Sequence, residues 1–366
     1  MKKIFLFSIL FLFPISVFSE NLPLPLLNLP PGFSISIFAD AIPGARSLTL
    51  GKNGTVFVGS KDKGNVYAVI PDEKNKTRVL IIAAGLDTPN GVAFHDGALY
   101  VAEKSRILKF DNIESNLLHP PKPIIINSQL PDKSHHGWRY IKFGPDNKLY
   151  IGIGAPCNNC LNDDKRFATI MRMDSDGKNF EVYAKGVRNT VGFDWDPLTK
   201  QLWFTDNSRD WMGDEIPPDE LNIAPVANMN FGFPYCHGKN ILDPWYGKGY
   251  SCNEFISPVL ELPAHVAALG MVFYTGKMFP EKFRNQIFIA EHGSWNRSSK
   301  TGYQVIFVTR DKNNVIGSIP FVTGWLNNGE VWGRPVDVLV LRDGSLLISD
   351  DYANVIYRVM YHQYHQ

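Results

Sequence analysis

Residues 140–154 read YIKFGPDNKLYIGIG. Ile141, Lys142 and Phe143 alternate apolar, polar, apolar. Gly144, Pro145, Asp146 and Asn147 then make a turn, and a second apolar run follows from Leu149. Period-two alternation on both sides of a turn is the signature of a β-hairpin. Working outward, the same grammar recurs as SLTLGKNGTVFVG (47–59), GVAFHDGALYVAE (91–103), VGFDWDPLTKQLWFTD (191–206), GMVFYTGKMFPEKFRNQIFIAE (270–291) and VDVLVLRDGSLLISD (336–350). Most copies run on into a third apolar strand: GNVYAVI (64–70), RILKFD (106–111), ATIMRMD (168–174), YQVIFV (303–308) and NVIYRV (354–359).

A lone hairpin leaves its edges unpaired and cannot bury a face by itself. Radial packing of small four-stranded sheets answers both problems. Six copies therefore predict an all-β, six-bladed β-propeller with four-stranded blades. A two-sheet β-sandwich shares the strand signals but needs no sixfold repeat. The early run FSISIFA (33–39) is placed to complete the blade of the last copy, so that both ends of the chain close the ring. Between Val191 and Met271 the interval between copies stretches to 80 residues. That length predicts a large excursion on one face, holding Cys236 and Cys252.

Composition narrows the function classes. The 37 Lys and Arg against 36 Asp and Glu leave a net charge of +1, unlike the basic excess of a general nucleic-acid binder. With 44% hydrophobic and 20% charged residues, the chain is far from the disordered class. Lys2 and Lys3 precede a nearly unbroken apolar run over residues 4–18, and small Val17 and Ser19 flank a cleavage point before Glu20. This is a secretory signal peptide pattern, too short for the roughly 20 residues of a membrane span. The expectation is a signal peptide at 1–19 and one propeller domain over 20–366, periplasmic or secreted, without stable membrane insertion. The four cysteines fall in two local groups, Cys157 with Cys160 and Cys236 with Cys252. A redox CxxC pair or a zinc site competes for the first group, but paired structural disulfides suit an exported chain best.

Polar residues at the turns of a propeller converge on the mouth of its channel. His135-His136-Gly137-Trp138-Arg139 precedes the third copy, and a histidine there suits a general base. Val187-Arg188-Asn189-Thr190 precedes the fourth copy, and an Arg-Asn pair can hold an oxyanion. The run from Thr205 to Asp210 and on to Asn222 is dense in oxygen ligands suited to Ca²⁺. Arg297, Lys300 and Arg334 add cations beside the fifth and sixth copies. A histidine with convergent cations points to a multiply anionic ligand.

On these motifs the chain resembles the sugar dehydrogenases that depend on pyrroloquinoline quinone (PQQ): soluble glucose, aldose sugar and sorbosone dehydrogenases, and fungal pyranose dehydrogenases. The likeness runs from LPPGF (29–33) to the last strand. It is carried by HHGWRYIKFGPDNKLYIGIGAPCNNC, TDNSRDWMGDE, PPDELN, NFGFPYCHG, AEHGSWNRS and GRPVDV. The resemblance implies a quinoprotein that oxidises an aldose or sugar aldehyde to the lactone or acid by hydride transfer to PQQ. It implies His136 as the base, with His135 the runner-up, and Arg188 and Asn189 facing the quinone oxygens. Lys300 and Arg334 would hold the cofactor's anionic groups, with Arg297 able to replace Lys300. Val336 stands where the family has a second arginine. Calcium would sit on main-chain oxygens of Ser208 and Arg209 beside Asn207. Asp219 matches the family's acidic residue near the cofactor, with Asp214 competing. The family carboxylate that pairs with the base falls near Ala155, so His136 needs another orienting partner. No CxxCH haem motif is present in the sequence, so electrons would leave to a separate acceptor. Asp87-Thr88-Pro89-Asn90-Gly91 resembles a segment of calcium-dependent propeller lactonases, the alternative enzyme reading. A non-catalytic binding propeller is the third.

Overall fold

The computed structural model describes residues 22–72 and 76–362. The expected signal peptide lies outside them. Six sheets of the described residues stand as blades around one axis, and two two-stranded ribbons, one of them Leu326–Asn327 with Glu330–Val331, lie outside them. Blades 1 to 5 begin with their innermost strands at Leu48–Leu50, Gly91–His95, Ile141–Phe143, Gly192–Trp195 and Ala268–Phe273, and blade 6 begins at Pro335–Val340. These are the six copies read from the sequence, in the same order. The ring closes as expected. Phe33–Ala39 pairs antiparallel with Val355–Tyr361, so blade 6 is built from both ends of the chain.

The energetic logic of the ring lies between blades. Six apolar clusters fill the six gaps between one blade and the next. Strands such as Leu149–Ile153 and Leu202–Asp206 are buried along their whole length, because both sheet faces are covered. The gap between blades 5 and 6 is the most aromatic. There Phe33 packs edge-on against Phe279, Phe283 and Phe321, so the closing strand is fixed by its rings as well as its ladder.

Two features depart from a uniform array. Blade 3 carries a fifth strand, Met229–Asn230, running parallel to Glu181–Lys185. It comes from the long excursion after blade 4's third strand, Asp219–Ala224, which also holds a short hairpin of Cys236–His237 with Ile241–Leu242. Both expected disulfides are present, Cys157–Cys160 and Cys236–Cys252.

Candidate functional site

In every blade the start of the inner strand and the end of the second strand lie side by side, because the two are antiparallel. Loops from six blades therefore meet on one face. They enclose a cavity of about 530 Å³. Its lining includes His135, His136, Arg188, Asn189, Asn207, Ser208, Asp219 and Arg334, all singled out in the sequence.

His136 is buried, with a left-handed backbone at φ 50°. Arg139 holds that turn. Its fully buried guanidinium donates to the carbonyls of His136 at 3.0 Å, Lys104 at 3.0 Å and Pro131 at 2.6 Å. The ring's Nδ1 lies 2.8 Å from the carbonyl of Ala155. A carbonyl only accepts, so Nδ1 carries the proton and Nε2 keeps its lone pair. No hydrogen bond engages Nε2 among the described residues. Burial pushes the imidazole well below the ordinary histidine value, and the charge of Arg188 pushes it further. The ring is thus a neutral, oriented base near pH 7. His135 is exposed and makes no side-chain hydrogen bond among the described residues, although its ring touches that of His136 at 4.1 Å.

Arg188 and Asn189 are held from behind. Both oxygens of Asp206, at the end of the second strand, accept their backbone N–H groups at 2.8 and 2.6 Å. Asp350 repeats the device in blade 6, accepting from Arg334 N at 2.9 Å. Arg188 uses all three guanidinium nitrogens on protein, donating to Asn158 O, Asn158 Oδ1 and Asn207 O at 2.8–2.9 Å. Asn158 lies inside the Cys157–Cys160 ring, so that disulfide loop aims Arg188. The Asn189 side-chain amide is buried and makes no hydrogen bond among the described residues. Gly154 sits against both groups. A Cβ there would lie 2.6 Å from His136 Cβ and 2.9 Å from Asn189 Oδ1.

Cations surround the remainder of the cavity. Arg334 donates from Nε to His292 O at 3.0 Å and from Nη2 to Gly293 O at 2.7 Å. Arg46, which the motif reading missed, donates to Asn90 Oδ1 and Asp351 Oδ2, both at 2.8 Å. His292 meets the other oxygen of Asp351 at 2.8 Å. Arg46 Nη2 and Arg334 Nη1 have no partner among the described residues. Lys61 lies over the Trp138 ring at 4.5 Å. These positions had a legible signal: Arg46 stands just before the first copy as Arg188 and Arg334 stand before theirs, and Lys61, His292 and Asp351 follow second strands.

Other expected residues are placed differently. Lys300 is exposed and outside the cavity lining, because its loop turns outward and its ammonium donates to Gly329 O at 2.7 Å. Arg297 also points away, onto Glu215 at 2.5 Å. The Arg209 side chain is buried away from the cavity, paired with Asp243 at 2.6 Å and stacked on Trp245. Its carbonyl and that of Ser208 accept no hydrogen bond among the described residues, so both oxygens remain available to a hard cation. Asn207 donates its amide to Asn189 O and Ala268 O. Asp219 accepts from Ser208 N and Ala267 N at 2.8 Å, and burial pushes it up to about 6. Asp214 is spent on the blade 5 loop, accepting from Ser298 N at 3.0 Å. Val336 packs with Val191 and Leu269 in an apolar plug on the axis, a place that would bury a guanidinium.

The site fits a flat, multiply anionic group: Arg46 and Arg334, with unpartnered guanidinium nitrogens, and Asn189, with a free amide, line one opening, and Ser208 lines it beside them. Among the described residues no three His, Cys, Asp or Glu side chains converge as a metal cluster.

Comparison with known proteins agrees with this geometry. The profile of the glucose/sorbosone dehydrogenase family matches residues 122–295, a segment that contains His136, Arg188 and Asn189 and ends in the blade 5 loop. A protein of Borreliella burgdorferi, itself uncharacterized, is 37% identical over 350 residues, covering 92% of this chain and 91% of its own. In fold, the chain is similar to the PQQ domain of pyranose dehydrogenase from Coprinopsis cinerea, with a TM-score of 0.77 at 18% identity over 91% of this chain and 97% of that one. A calcium form of a Trichoderma reesei carbohydrate-active enzyme of family AA12 gives 0.81 at 17% identity over 93% and 98% of the two chains. The PQQ-bound aldose sugar dehydrogenase of Streptomyces coelicolor gives 0.65 at 19% identity over 92% and 100%. With the repeat, the site motifs and these likenesses together, the chain belongs to the glucose/sorbosone dehydrogenase family.

Proposed function

We propose that this protein is a PQQ- and calcium-dependent dehydrogenase that oxidises an aldose or sugar aldehyde hydrate to the lactone or acid. The observation that carries the reading is the facing of a neutral His136, its Nε2 free, toward a cavity where Arg46 and Arg334 keep unpartnered N–H groups. When bound, PQQ supplies a two-electron acceptor for the hydride of the sugar carbon. His136 Nε2 takes the proton of the hydroxyl on that carbon. Arg188 and Asn189 stabilise negative charge that develops opposite it, preorganised by Asp206 and Asn158. Arg46 and Arg334 hold the cofactor's carboxylates. Carbonyls of Ser208 and Arg209, beside Asn207, hold the calcium, and Asp219 fixes their loop. Electrons leave to a separate acceptor.

The two disulfides suit an oxidising compartment. No helix among the described residues is long and apolar enough to cross a membrane. We place the propeller, residues 20–366, in the periplasm or outside the cell after removal of residues 1–19. The test is reconstitution with PQQ and Ca²⁺, then a sugar screen with an acceptor dye. Turnover that requires PQQ is expected. A protein that does not bind PQQ, or that turns over no sugar when loaded, overturns the reading.

A further inference from the structure

Beyond the cavity, its rim carries two large apolar side chains in the open. Trp295 lines the mouth and is 66% exposed, and Trp211 beside it is 65% exposed. Their rings meet edge to face, 5.5 Å apart at 85°. Exposed neighbouring indoles at a cleft mark a recognition surface. The pair is also built rather than incidental. Trp211 holds a left-handed backbone at φ 69°, which is costly for a bulky side chain and clusters at functional sites. Its loop is tied to the Trp295 loop at several points. Ser298 N donates to Asp214 at 3.0 Å, Arg297 pairs with Glu215, and Arg297 also donates to Asp214 O. His265 further tethers the Trp211 loop through the Gly213 carbonyl at 2.8 Å.

The polar group beneath the pair is unusual. The Asp210 carboxylate has only long contacts: Asn296 Nδ2 at 3.5 Å, Arg188 Nη2 at 3.5 Å and His265 Nδ1 at 3.9 Å. It lines the cavity with acceptor capacity to spare. Perpendicular aromatic walls, a carboxylate that accepts and an amide that both accepts and donates match a ring with apolar C–H faces and equatorial hydroxyls. Arg46 and Arg334, whose free Nη nitrogens serve the cavity, belong to other blades, and the rim's own Arg297 is directed onto Asp214 O and balanced by Glu215. The rim therefore suits a neutral polyhydroxylated ligand rather than a second anion.

We propose that Trp211, Trp295, Asp210 and Asn296 form an outer subsite for a second sugar ring, so that the preferred substrate is a reducing oligosaccharide rather than a monosaccharide. The proposal rests on the sugar dehydrogenase reading. The reducing-end ring meets His136 in the cavity, and the next ring lies on the indoles.

The test uses the PQQ- and Ca²⁺-loaded protein with maltose, cellobiose, gentiobiose, lactose and xylobiose, each against glucose or xylose. Binding is read by tryptophan fluorescence titration, which needs no turnover, and catalysis by kcat/KM. At least one disaccharide is expected to bind roughly tenfold tighter than its monosaccharide, a gain equivalent to about 1.4 kcal/mol. Trp211→Ala should reduce that ratio to within about twofold, and Trp211→Phe should keep most of it. If no disaccharide outbinds its monosaccharide, or if the advantage survives Trp211→Ala, the subsite is wrong. Monosaccharide turnover with no disaccharide preference refutes the subsite and leaves the dehydrogenase standing. Disaccharide binding without PQQ-dependent turnover refutes the dehydrogenase and leaves a carbohydrate site.

Discussion

The Nδ1 of His136 lies 2.8 Å from the carbonyl oxygen of Ala155, and this contact fixes the tautomer of the proposed base. A backbone carbonyl does here what a carboxylate does in other acid–base pairs. It orients the ring without adding a negative charge, and burial, with the charge of Arg188, outweighs the upward push of this hydrogen bond.

For the base itself, His136→Ala is expected to lower turnover roughly 10²–10⁴-fold, with PQQ binding kept. His135→Ala should have a small effect, since that ring is exposed. Because burial and Arg188 hold His136 well below the ordinary value, activity should stay level as pH falls through 6.5 and decline only below it. Steady-state rates from pH 5 to 8 check this. An acid limb centred at or above 6.5 would contradict the assignment.

Gly154→Ala tests how tightly the base is positioned. The new Cβ would lie under 3.0 Å from both His136 and Asn189, so one or both must move. Overpacking costs about 1–3 kcal/mol, and a misplacement of about 1 Å costs on the order of 10² in rate. A folded variant with near-normal turnover would show that neither group needs its observed place.

Cofactor retention should divide the cations. Arg46→Ala and Arg334→Ala are each expected to weaken PQQ binding about tenfold or more, as loss of a charge-assisted hydrogen bond does. Lys300→Ala should shift it less than twofold, because that ammonium is outside the cavity. Equilibrium PQQ titrations give the order. A dominant effect of Lys300 would overturn the placement.

The two disulfides should separate stability from activity. Cys236–Cys252 spans 16 residues, and a loop of that size contributes about 3 kcal/mol. Cys157–Cys160 spans three and constrains the unfolded chain far less, but its ring contains Asn158, which aims Arg188. Replacing Cys157 and Cys160 by Ser should therefore lower turnover more than melting temperature. The Cys236, Cys252 pair should show the reverse. Similar losses in both measurements for both pairs would refute the distinction.

Asp337 predicts a pH dependence of stability. It is buried, accepts from Leu48 N and Val338 N, and burial pushes it up to about 7. Its unfolded value is about 3.9. A carboxyl raised on folding contributes stability that is full below the unfolded value and is lost as pH rises through the folded one. Asp337→Asn removes this titration. The stability gap between wild type and variant should therefore narrow from pH 5 to pH 8 in urea unfolding. A constant gap would mean that Asp337 does not titrate in this range.

Much of this protein was legible in one dimension because strand periodicity and turn chemistry are local. The hairpin in residues 140–154 and its five relatives fixed blade number and order. The leftover run Phe33–Ala39 had one vacant edge to fill, beside Val355–Tyr361. Short cysteine spacing likewise left little choice of pairing. His136, Arg188, Asn189 and Arg334 could be found because each stands just before an inner strand, where the ring forces convergence.

Direction, however, is a tertiary property. Lys300 and Arg334 are both cations beside a blade, yet Arg334 turns inward onto the His292 and Gly293 carbonyls while Lys300 turns outward onto Gly329. The meeting of Arg46, Asp351 and His292 joins three blades, and no local pattern records it. The fifth strand of blade 3 comes from an excursion of blade 4, a pairing of two residues with no periodicity to read. Alternation states which face of a strand is apolar. Only the closed ring decides which loop residues share one cavity, because that depends on contacts between residues up to about 300 positions apart.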